Sequence, residues 1–239
     1  MDDAPKAIAF YQALFGWDIE LGAPEVGGYS IAHQDGHIVA AISPKMAGPD
    51  APTVWTTFLA SDDVDATADK IKGAGGQVLA GPMDVMEEGR MAVAMDPAGA
   101  AFALWQGEHT TGLQVANEPG SLVWSEHMSR DLDGSKAFYQ AVFGYGYQDM
   151  SGDGFRYAMI MVDGHEVGGM GEYPEGTPAE MPAAWATYFA VTDTDAAVAK
   201  VTELGGRVVQ PPSDTPYGRI GVVADSDGAV FSVITAPAS

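Results

Sequence analysis

The feature that most constrains this chain is a stretch that occurs twice. "AFYQALFGW" spans residues 9–17 and "AFYQAVFGY" spans residues 137–145, with seven of nine positions identical. The similarity extends along most of the chain, pairing 29–44 with 157–172, 55–82 with 185–212 and 89–105 with 218–234. Such a duplication predicts two similar halves of about 120 residues, each large enough to bury a core of its own.

Each copy of the stretch is predicted to be a helix. Apolar residues recur at helical spacing between Asp3 and Gly16, and again between Asp131 and Gly144. An Asp can cap the first turn and a Gly can close the last one. Both copies therefore predict a helix of about three turns, and its apolar residues are interpreted as core.

Turn signals place strands after these helices. Asp35-Gly36 and Asp163-Gly164 lie between alternating runs, which is typical of tight hairpins. The second quarter repeats the order, with a strand from Trp55, a helix from about Asp63 to Gly73, a strand at Gln77–Ala80, and the strands "RMAVAM" and "AAFALW" around the turn Asp96–Gly99.

The resulting plan is four modules, each a strand, a helix and three strands. The first module lacks its first strand, because its helix begins near residue 3. Either the true start lies upstream, or the first domain is open where that strand would pair. We expect an α+β protein with an incomplete first domain at 1–106, a linker at 107–120 that ends in Pro-Gly, and a second domain at 121–239.

Composition narrows the function classes. The formal charge of −22 disfavours binding to nucleic acid or to an anionic membrane surface. The absence of cysteine excludes disulfides and thiolate chemistry. No secretory signal and no run of about 18 apolar residues is present, so a cytoplasmic location is expected. The expected partner is a small molecule, and the sequence leaves room for self-association.

The order of motifs resembles the vicinal oxygen chelate superfamily, which includes glyoxalase I, bleomycin-resistance proteins and extradiol dioxygenases. The residues on which this resemblance depends are "AFYQALFGW", "DDVDATADKIKGAGG" and "DPAGAAF". Trp124-Ser125-Glu126 also resembles the first strand of tandem actinobacterial members. The resemblance covers about 3–106 and 121–236. It implies that two modules pair curved sheets around a cleft, with one cleft in each half.

The resemblance also says where a metal would be held, on the first and last strands of each module. Counting from the helix-opening and turn Asp residues gives the positions Trp124, Thr56, Ala186, Ala103 and Ser232. None is a usual metal ligand. Glu126 with Glu172 is the one carboxylate pair that remains, and two carboxylates would hold an ion weakly. We therefore expect neither a metal nor another cofactor.

Strand alternation selects the residues that would face the clefts. The candidate ligand-binding residues are Trp124, Glu126, Met128, Tyr157, Met159, Met161, Tyr188, Thr56 and Phe58. Aromatic and Met side chains around one carboxylate suit an apolar or aromatic ligand with a polar group. The alternative is that they fill a collapsed core.

Glu126 is the candidate catalytic residue. In an apolar cleft, its carboxylate could act as an acid or base, or anchor a ligand hydroxyl. The alternative is a structural carboxylate. His127 follows it directly and should point to the opposite face of the strand, which disfavours a Glu–His pair.

Three functions are compatible with these residues. The first is a metal-independent small-molecule-binding protein of the glyoxalase and bleomycin-resistance type, with its cleft in the second domain. The second is a lyase, isomerase or oxygenase-type enzyme of the same superfamily, either metal-dependent or metal-free through Glu126. The third is a non-catalytic interaction protein with collapsed clefts.

Overall fold

A computed structural model describes residues 3–45 and 51–236. Residues 1–2 of the first predicted domain and residues 237–239 of the second lie outside the described residues. The α-helices are α1 (Ala4–Phe15), α2 (Val64–Gly73), α3 (Leu132–Phe143) and α4 (Thr194–Glu203), with a short 3-10 helix at Pro24–Val26. None of the described helices is long and apolar enough to span a bilayer.

The helix ends match the sequence prediction. The Asp3 and Asp131 carboxylates cap α1 and α3 by accepting hydrogen bonds from backbone amides of the first turn. Gly16 and Gly144 then close these helices in the left-handed conformation, with φ of 75° and 74°.

Strands separate the helices in the predicted order, which confirms the α+β class and the modular plan. They are β1 (Asp18–Ile19), β2 (Ser30–Gln34), β3 (His37–Ile42), β4 (Phe58–Ala60), β5 (Gln77–Val85), β6 (Gly89–Met95), β7 (Ala101–Gly107), β8 (Leu122–Ser129), β9 (Gly146–Asp149), β10 (Tyr157–Val162), β11 (His165–Glu172), β12 (Ala184–Ala190), β13 (Arg207–Thr215), β14 (Gly218–Ala224) and β15 (Val230–Thr235).

Three modules share one sheet topology, in which the first strand runs parallel to the last. The strand orders are β4-β7-β6-β5, β8-β11-β10-β9 and β12-β15-β14-β13. In the described part of the first module, only β3-β2-β1 is present. The parallel register pairs Phe58 with Ala103 and Glu126 with Gly169.

The hairpins form where the Asp-Gly pairs predicted them. Asp35 and Gly36 have φ of 51° and 82°, and Asp163 and Gly164 have φ of 50° and 79°. Two successive left-handed residues are the requirement of a two-residue hairpin turn whose twist matches the flanking strands.

The compact units of the chain combine modules differently from the predicted halves. Unit one contains residues 1–55, 113–123 and 187–239, and unit two contains 56–112 and 124–186. The predicted boundaries divide the chain at the repeat, into modules one and two and modules three and four. The compact units instead join module one with module four and module two with module three. Most of the predicted linker also packs on unit one, where the Gly120 carbonyl accepts a hydrogen bond of 2.6 Å from Trp17 Nε1.

The duplicated stretch forms the core of both units, as predicted. Phe10 and Tyr11 of α1 are buried in unit one, and Phe138 and Tyr139 of α3 are buried in unit two. Each helix therefore contributes aromatic side chains to a cluster beneath its sheet.

Candidate functional site

The two faces of β8 have different environments. Trp124, Glu126 and Met128 alternate along one face and are half-buried. His127 and Ser129 lie on the other face and are fully buried, with Ser129 Oγ 3.0 Å from Ser135 Oγ on α3. The predicted separation of Glu126 from His127 is confirmed.

The face that carries Glu126 continues across β11 and β10. Glu126 is opposite Gly169 and Met128 is opposite Gly171. On the far side of β11, Met159 pairs with Gly169 and Tyr157 with Gly171. We call this surface the module-three face, defined by Trp124, Glu126, Met128, Tyr157, Met159, Met161, Gly169 and Gly171.

The glycines of β11 make room for the large side chains of this face. A Cβ at Gly169 would overlap the Tyr157 hydroxyl and lie 2.9 Å from Trp124 Nε1. A Cβ at Gly171 would lie 2.7 Å from Met128 Sδ. Trp124 Nε1 donates a hydrogen bond of 3.1 Å to the Tyr157 hydroxyl. The side chains of Trp124 and Tyr157 therefore meet over Gly169 of β11, where there is no side chain to keep them apart.

Tyr173 is a neighbour of Glu126 that was not predicted from the sequence. Burial raises the pKa of Tyr173, the guanidinium of Arg130 opposes this increase, and the charge of Glu126 adds to it. The Tyr173 hydroxyl donates to the Pro182 carbonyl at 2.8 Å, and Arg130 lies 5.7 Å from the ring centre. Tyr173 thus lies within the electrostatic reach of the Glu126 carboxylate.

Glu172 does not share the module-three face, so the two carboxylates that the metal-dependent alternative would use do not lie on one face. Glu172 is opposite Ser129, whose side chain points towards α3. Its carboxylate accepts a hydrogen bond of 2.6 Å from Arg156, which also binds Asp133 on α3. The sheet therefore separates the two carboxylates, and Glu172 already has a cationic partner.

The other candidate ligand residues lie elsewhere. Phe58 is exposed at the start of β4, and Thr56 precedes that strand, which begins three residues later than predicted. Both belong to unit two. Tyr188 is half-buried on β12 opposite Ser232, in unit one. Six of the nine candidates are thus brought onto one surface.

The positions that the family resemblance assigned to a metal carry side chains that are not usual metal ligands. Ala103 and Ser232 are buried on the last strands of their modules, and Trp124 is joined to Tyr157. Across residues 3–45 and 51–236, no three His, Asp or Glu side chains lie close enough together to hold a metal ion.

A buried polar network in unit two was not predicted from the sequence. Asp96 Oδ2 lies 2.7 Å from His127 Nε2 and accepts a hydrogen bond of 3.1 Å from the Tyr139 hydroxyl. Trp185 Nε1 donates to the same hydroxyl at 2.8 Å, and Asp96 Oδ1 accepts from the Ala100 amide at 2.9 Å. This network joins the turn before β7 to β8, α3 and β12.

The electrostatics of this network follow from its burial. Burial raises the pKa of Asp96, but the hydrogen bond and charge of His127, together with the hydrogen bonds from the Ala100 amide and the Tyr139 hydroxyl, outweigh it, so the pKa lies below its ordinary value. Burial, and then the charge of Asp96, raise the pKa of Tyr139 well above its usual range. The network therefore holds an ionised carboxylate inside the core.

In the part of unit one that the structure describes, a similar network lacks the imidazole. The Tyr11 hydroxyl donates to Asp225 Oδ2 at 2.7 Å, and Trp55 Nε1 donates to the Tyr11 hydroxyl at 3.0 Å. The repeat aligns these residues with Tyr139, Asp96 and Trp185. That shared Tyr, Trp and Asp pattern was the signal that could have identified both networks.

Two surface depressions lie outside the module-three face. One of about 250 Å³ is lined by Phe155, Arg156, Glu172 and Tyr173, among others. The other, of about 350 Å³, adjoins Arg219 in unit one. Arg219 is bound there by the carboxylates of Asp195 and Asp214, as Arg90 is by Asp65 and Asp84 in unit two.

Comparisons with known proteins agree with this architecture. The model of the Glyoxalase/Bleomycin resistance protein/Dioxygenase superfamily matches residues 1–104 and 112–233. CFP32, a candidate glyoxylase of Mycobacterium tuberculosis, is 41% identical over 239 residues, covering 97% of this chain and 90% of that protein. The anthracycline biosynthesis protein DauV of Streptomyces sp. (strain C5) is 37% identical over 246 residues, covering 97% and 89%.

Two solved structures share the fold at low identity. The Mn(II)-bound glyoxalase of Novosphingobium aromaticivorans has a TM-score of 0.65 at 16% identity, covering 98% of this chain and 78% of that one. The 2,2',3-trihydroxybiphenyl 1,2-dioxygenase of Sphingomonas wittichii strain RW1 has a TM-score of 0.60 at 15% identity, covering 97% and 85%.

Proposed function

Because the chain belongs to the Glyoxalase/Bleomycin resistance protein/Dioxygenase superfamily, we propose that it is a metal-independent protein that binds a planar aromatic small molecule on the module-three face. Glu126 is proposed to anchor a hydroxyl or N–H donor of the ligand. Tyr188, Thr56 and Phe58 remain predicted ligand residues.

The observation that carries the proposal is the joined pair of Trp124 and Tyr157 above Gly169. Trp124 and Tyr157 are half-buried aromatic side chains held together across a glycine, and aromatic side chains of this kind suit contact with a planar ligand. Met128 and Met159 border this pair, and their unbranched side chains adapt to irregular ligand shapes. The surface therefore favours an aromatic ligand over a strongly polar one.

The charge of the protein further narrows the class of ligand that we propose. Glu126 lies on the module-three face, and the whole chain carries a formal charge of −22. An anionic ligand would be repelled by both. The proposed ligand is therefore neutral or cationic, with a donor that the carboxylate can accept.

Support for metal independence comes from the donor set. Three or four imidazole or carboxylate groups are usually needed to hold a catalytic divalent ion. Glu126 faces one side of the sheet, whereas Glu172 is bound to Arg156 on the other. Of these two carboxylates, Glu126 alone lies on the module-three face.

The names of the relatives are compatible with a small organic ligand, since one names a glyoxylase and the other anthracycline biosynthesis. Whether this chain also converts its ligand is tested at Glu126, the candidate on this face for proton transfer. We propose binding as the function and leave catalysis by Glu126 as the alternative.

The test uses a matched pair of probes, 2-naphthol and its methyl ether, titrated while tryptophan fluorescence is recorded. Wild-type protein should bind the naphthol more tightly, because its hydroxyl can donate to Glu126 and the ether cannot. Glu126→Gln should weaken naphthol binding about tenfold, because Gln keeps an acceptor oxygen but loses the charge that strengthens the hydrogen bond, and it should leave ether binding unchanged.

Glu172→Gln provides the control, because this carboxylate lies on the opposite face of the same sheet. It should bind both probes as the wild type does. Equal affinity of the wild type for both probes, or equal losses in the two variants, would contradict the proposal.

A further inference from the structure

Tyr173 lies at one end of the module-three face. On β11, Gly169 is opposite Glu126, and an even number of residues further along the half-buried Tyr173 donates from its amide to the Ser129 carbonyl at 2.8 Å. Alternation therefore places the Tyr173 side chain on the same face as Glu126. Besides burial and the opposing charge of Arg130, the charge of Glu126 acts on the pKa of Tyr173, which is consistent with this side of the sheet.

Two side chains at this end hold residues 174–183, which connect β11 to β12 and which we call the strap. The guanidinium of Arg130 lies 5.7 Å from the centre of the Tyr173 ring and donates to the Pro178 carbonyl at 2.5 Å. The Tyr173 hydroxyl donates to the Pro182 carbonyl at 2.8 Å. The backbone of the strap is therefore bound at two points by residues that adjoin the module-three face.

The contacts of Arg130 differ from those of three other arginines. Arg90, Arg156 and Arg219 each bind two carboxylates. The guanidinium of Arg130 is instead directed to a strap carbonyl and to the ring of Tyr173. A planar guanidinium donates in several directions and also packs on aromatic rings, so one side chain can make both contacts. Arg130 is thus suited to fix the position of the strap.

The strap is stiff but weakly anchored. Pro174, Pro178 and Pro182 fix the backbone angle φ at every fourth residue, which leaves few conformations to the segment between them. The hydrogen bonds that Arg130 and Tyr173 make to the strap are exposed to solvent. Segments held by a few exposed hydrogen bonds open at low cost in free energy. The strap is therefore able to open and close as one piece.

The strap also carries an apolar side chain that closure would bury. Met181 is 45% exposed. A ligand shifts a conformational equilibrium only as far as it interacts differently with the two states. Contact between Met181 and an aromatic ligand, made in the closed state alone, would be such a difference, because it removes apolar surface from water.

We propose that the strap closes over a ligand bound on the module-three face, and that Arg130 and Tyr173 are the residues that position it. The inference rests on the proposed function, since it concerns the release of the same aromatic ligand. The ligand would leave only after the hydrogen bonds of Arg130 and Tyr173 to the strap have broken. These two residues would therefore control the dissociation rate.

The first measurement needs no ligand. Millisecond hydrogen exchange is followed at the amides of Thr177 and Met181, which are bonded within the strap at 3.1 and 2.9 Å. Arg130→Ala should speed this exchange about fivefold, the effect of one lost hydrogen bond, and leave α3 unchanged. Arg219→Ala, the matched control in unit one, should leave the strap unchanged. Wild-type exchange in Arg130→Ala would overturn the proposal.

Stopped-flow tryptophan fluorescence then measures the dissociation of 2-naphthol. Arg130→Ala and Tyr173→Phe should each raise the dissociation rate about fivefold. Their combined effect should be smaller than the product of the two, because both side chains hold the same strap. Arg130→Lys should restore part of the loss, since an ammonium group can still donate to a carbonyl. Met181→Gln should also release naphthol faster, without changing exchange in the ligand-free strap.

The outcomes separate this inference from the proposed function. Normal naphthol binding with wild-type dissociation rates in Arg130→Ala and Tyr173→Phe would overturn the strap and leave the proposed function intact. Multiplying effects of the two substitutions would also overturn it, because they would then act independently. Failure of naphthol to bind wild-type protein would overturn the proposed function, and closure of the strap with it.

Discussion

Replacing Asp96 by Asn tests the buried network of unit two with a change of very small volume. An Asn can still accept from the Ala100 amide through its oxygen. Its amide nitrogen then takes the place of Oδ2, where His127 Nε2 and the Tyr139 hydroxyl both approach. An acceptor shared by two groups is thereby replaced by a donor.

The expected cost follows from the burial of these groups. His127 and Tyr139 are fully buried, so water cannot replace the lost acceptor. A buried polar group left unsatisfied costs about 1–3 kcal/mol, and removing one partner of a buried ionic pair costs about 3–5 kcal/mol. We expect Asp96→Asn to lower the free energy of unfolding of unit two by about 3 kcal/mol.

The pH dependence provides a second signature. The folded-state pKa of Asp96 lies below its ordinary value. The ionised carboxylate therefore stabilises the fold above an unfolded pKa of about 3.9, and this contribution is lost as the pH falls through the folded-state pKa. The difference between wild type and Asp96→Asn should be largest near neutral pH and should shrink in acid.

Urea-dependent hydrogen exchange, read by mass spectrometry, measures each unit separately. Peptides from α3 report unit two and peptides from α1 report unit one. Asp225→Asn is the matched control, because Asp225 Oδ2 accepts from Tyr11 and contacts no imidazole of the described residues. Its cost should be smaller, about 1 kcal/mol. The reasoning is refuted if Asp96→Asn unfolds at the wild-type urea concentration, or if α1 alone is destabilised.

Three further substitutions, one of them with a control variant, test other parts of the account. Gly169→Ala should weaken 2-naphthol binding about tenfold in the fluorescence titration, because its Cβ displaces the aromatic pair; Gly146→Ala, whose Cβ would be 3.6 Å from the nearest atom, should bind normally. Gly164→Ala should lower the free energy of unfolding by about 1 kcal/mol in urea titration, since its φ of 79° disfavours a Cβ. Arg219→Ala should leave the urea midpoint unchanged, because its ion pairs are exposed.

The sequence predicted the elements whose signals are local. The Asp and Gly residues that bound α1 and α3 are contiguous with the apolar pattern that they end. Alternation likewise placed Trp124, Glu126 and Met128 on one face of β8. In these cases the residues that determine the structure are neighbours in the chain.

Strand alternation could not predict on which side of the sheet Glu172 lies. Counting by twos from Glu166, which pairs with Met161, would place Glu172 on the same face as Glu126. A register shift between Ile160 and Met161 inserts an extra residue in β11 and reverses the alternation beyond it. A bulge of this kind depends on the partner strand, so the sequence alone does not reveal its position.

The grouping of modules and the buried networks were missed for a related reason. The contact of Asp96 with His127 joins residues 31 positions apart, and that of Tyr11 with Asp225 joins residues 214 apart. Helical periodicity identified Phe10 and Phe138 as core, but it carries no information about where the buried hydroxyls of Tyr11 and Tyr139 find their acceptors. That information lies in the tertiary packing of the two units.

The central claim, metal-free ligand binding on the module-three face, is tested most directly by titrating 2-naphthol into protein before and after removal of divalent ions with a chelator. The account predicts the same dissociation constant in both titrations. Loss of binding on chelation, with recovery when a divalent ion is added back, would contradict it.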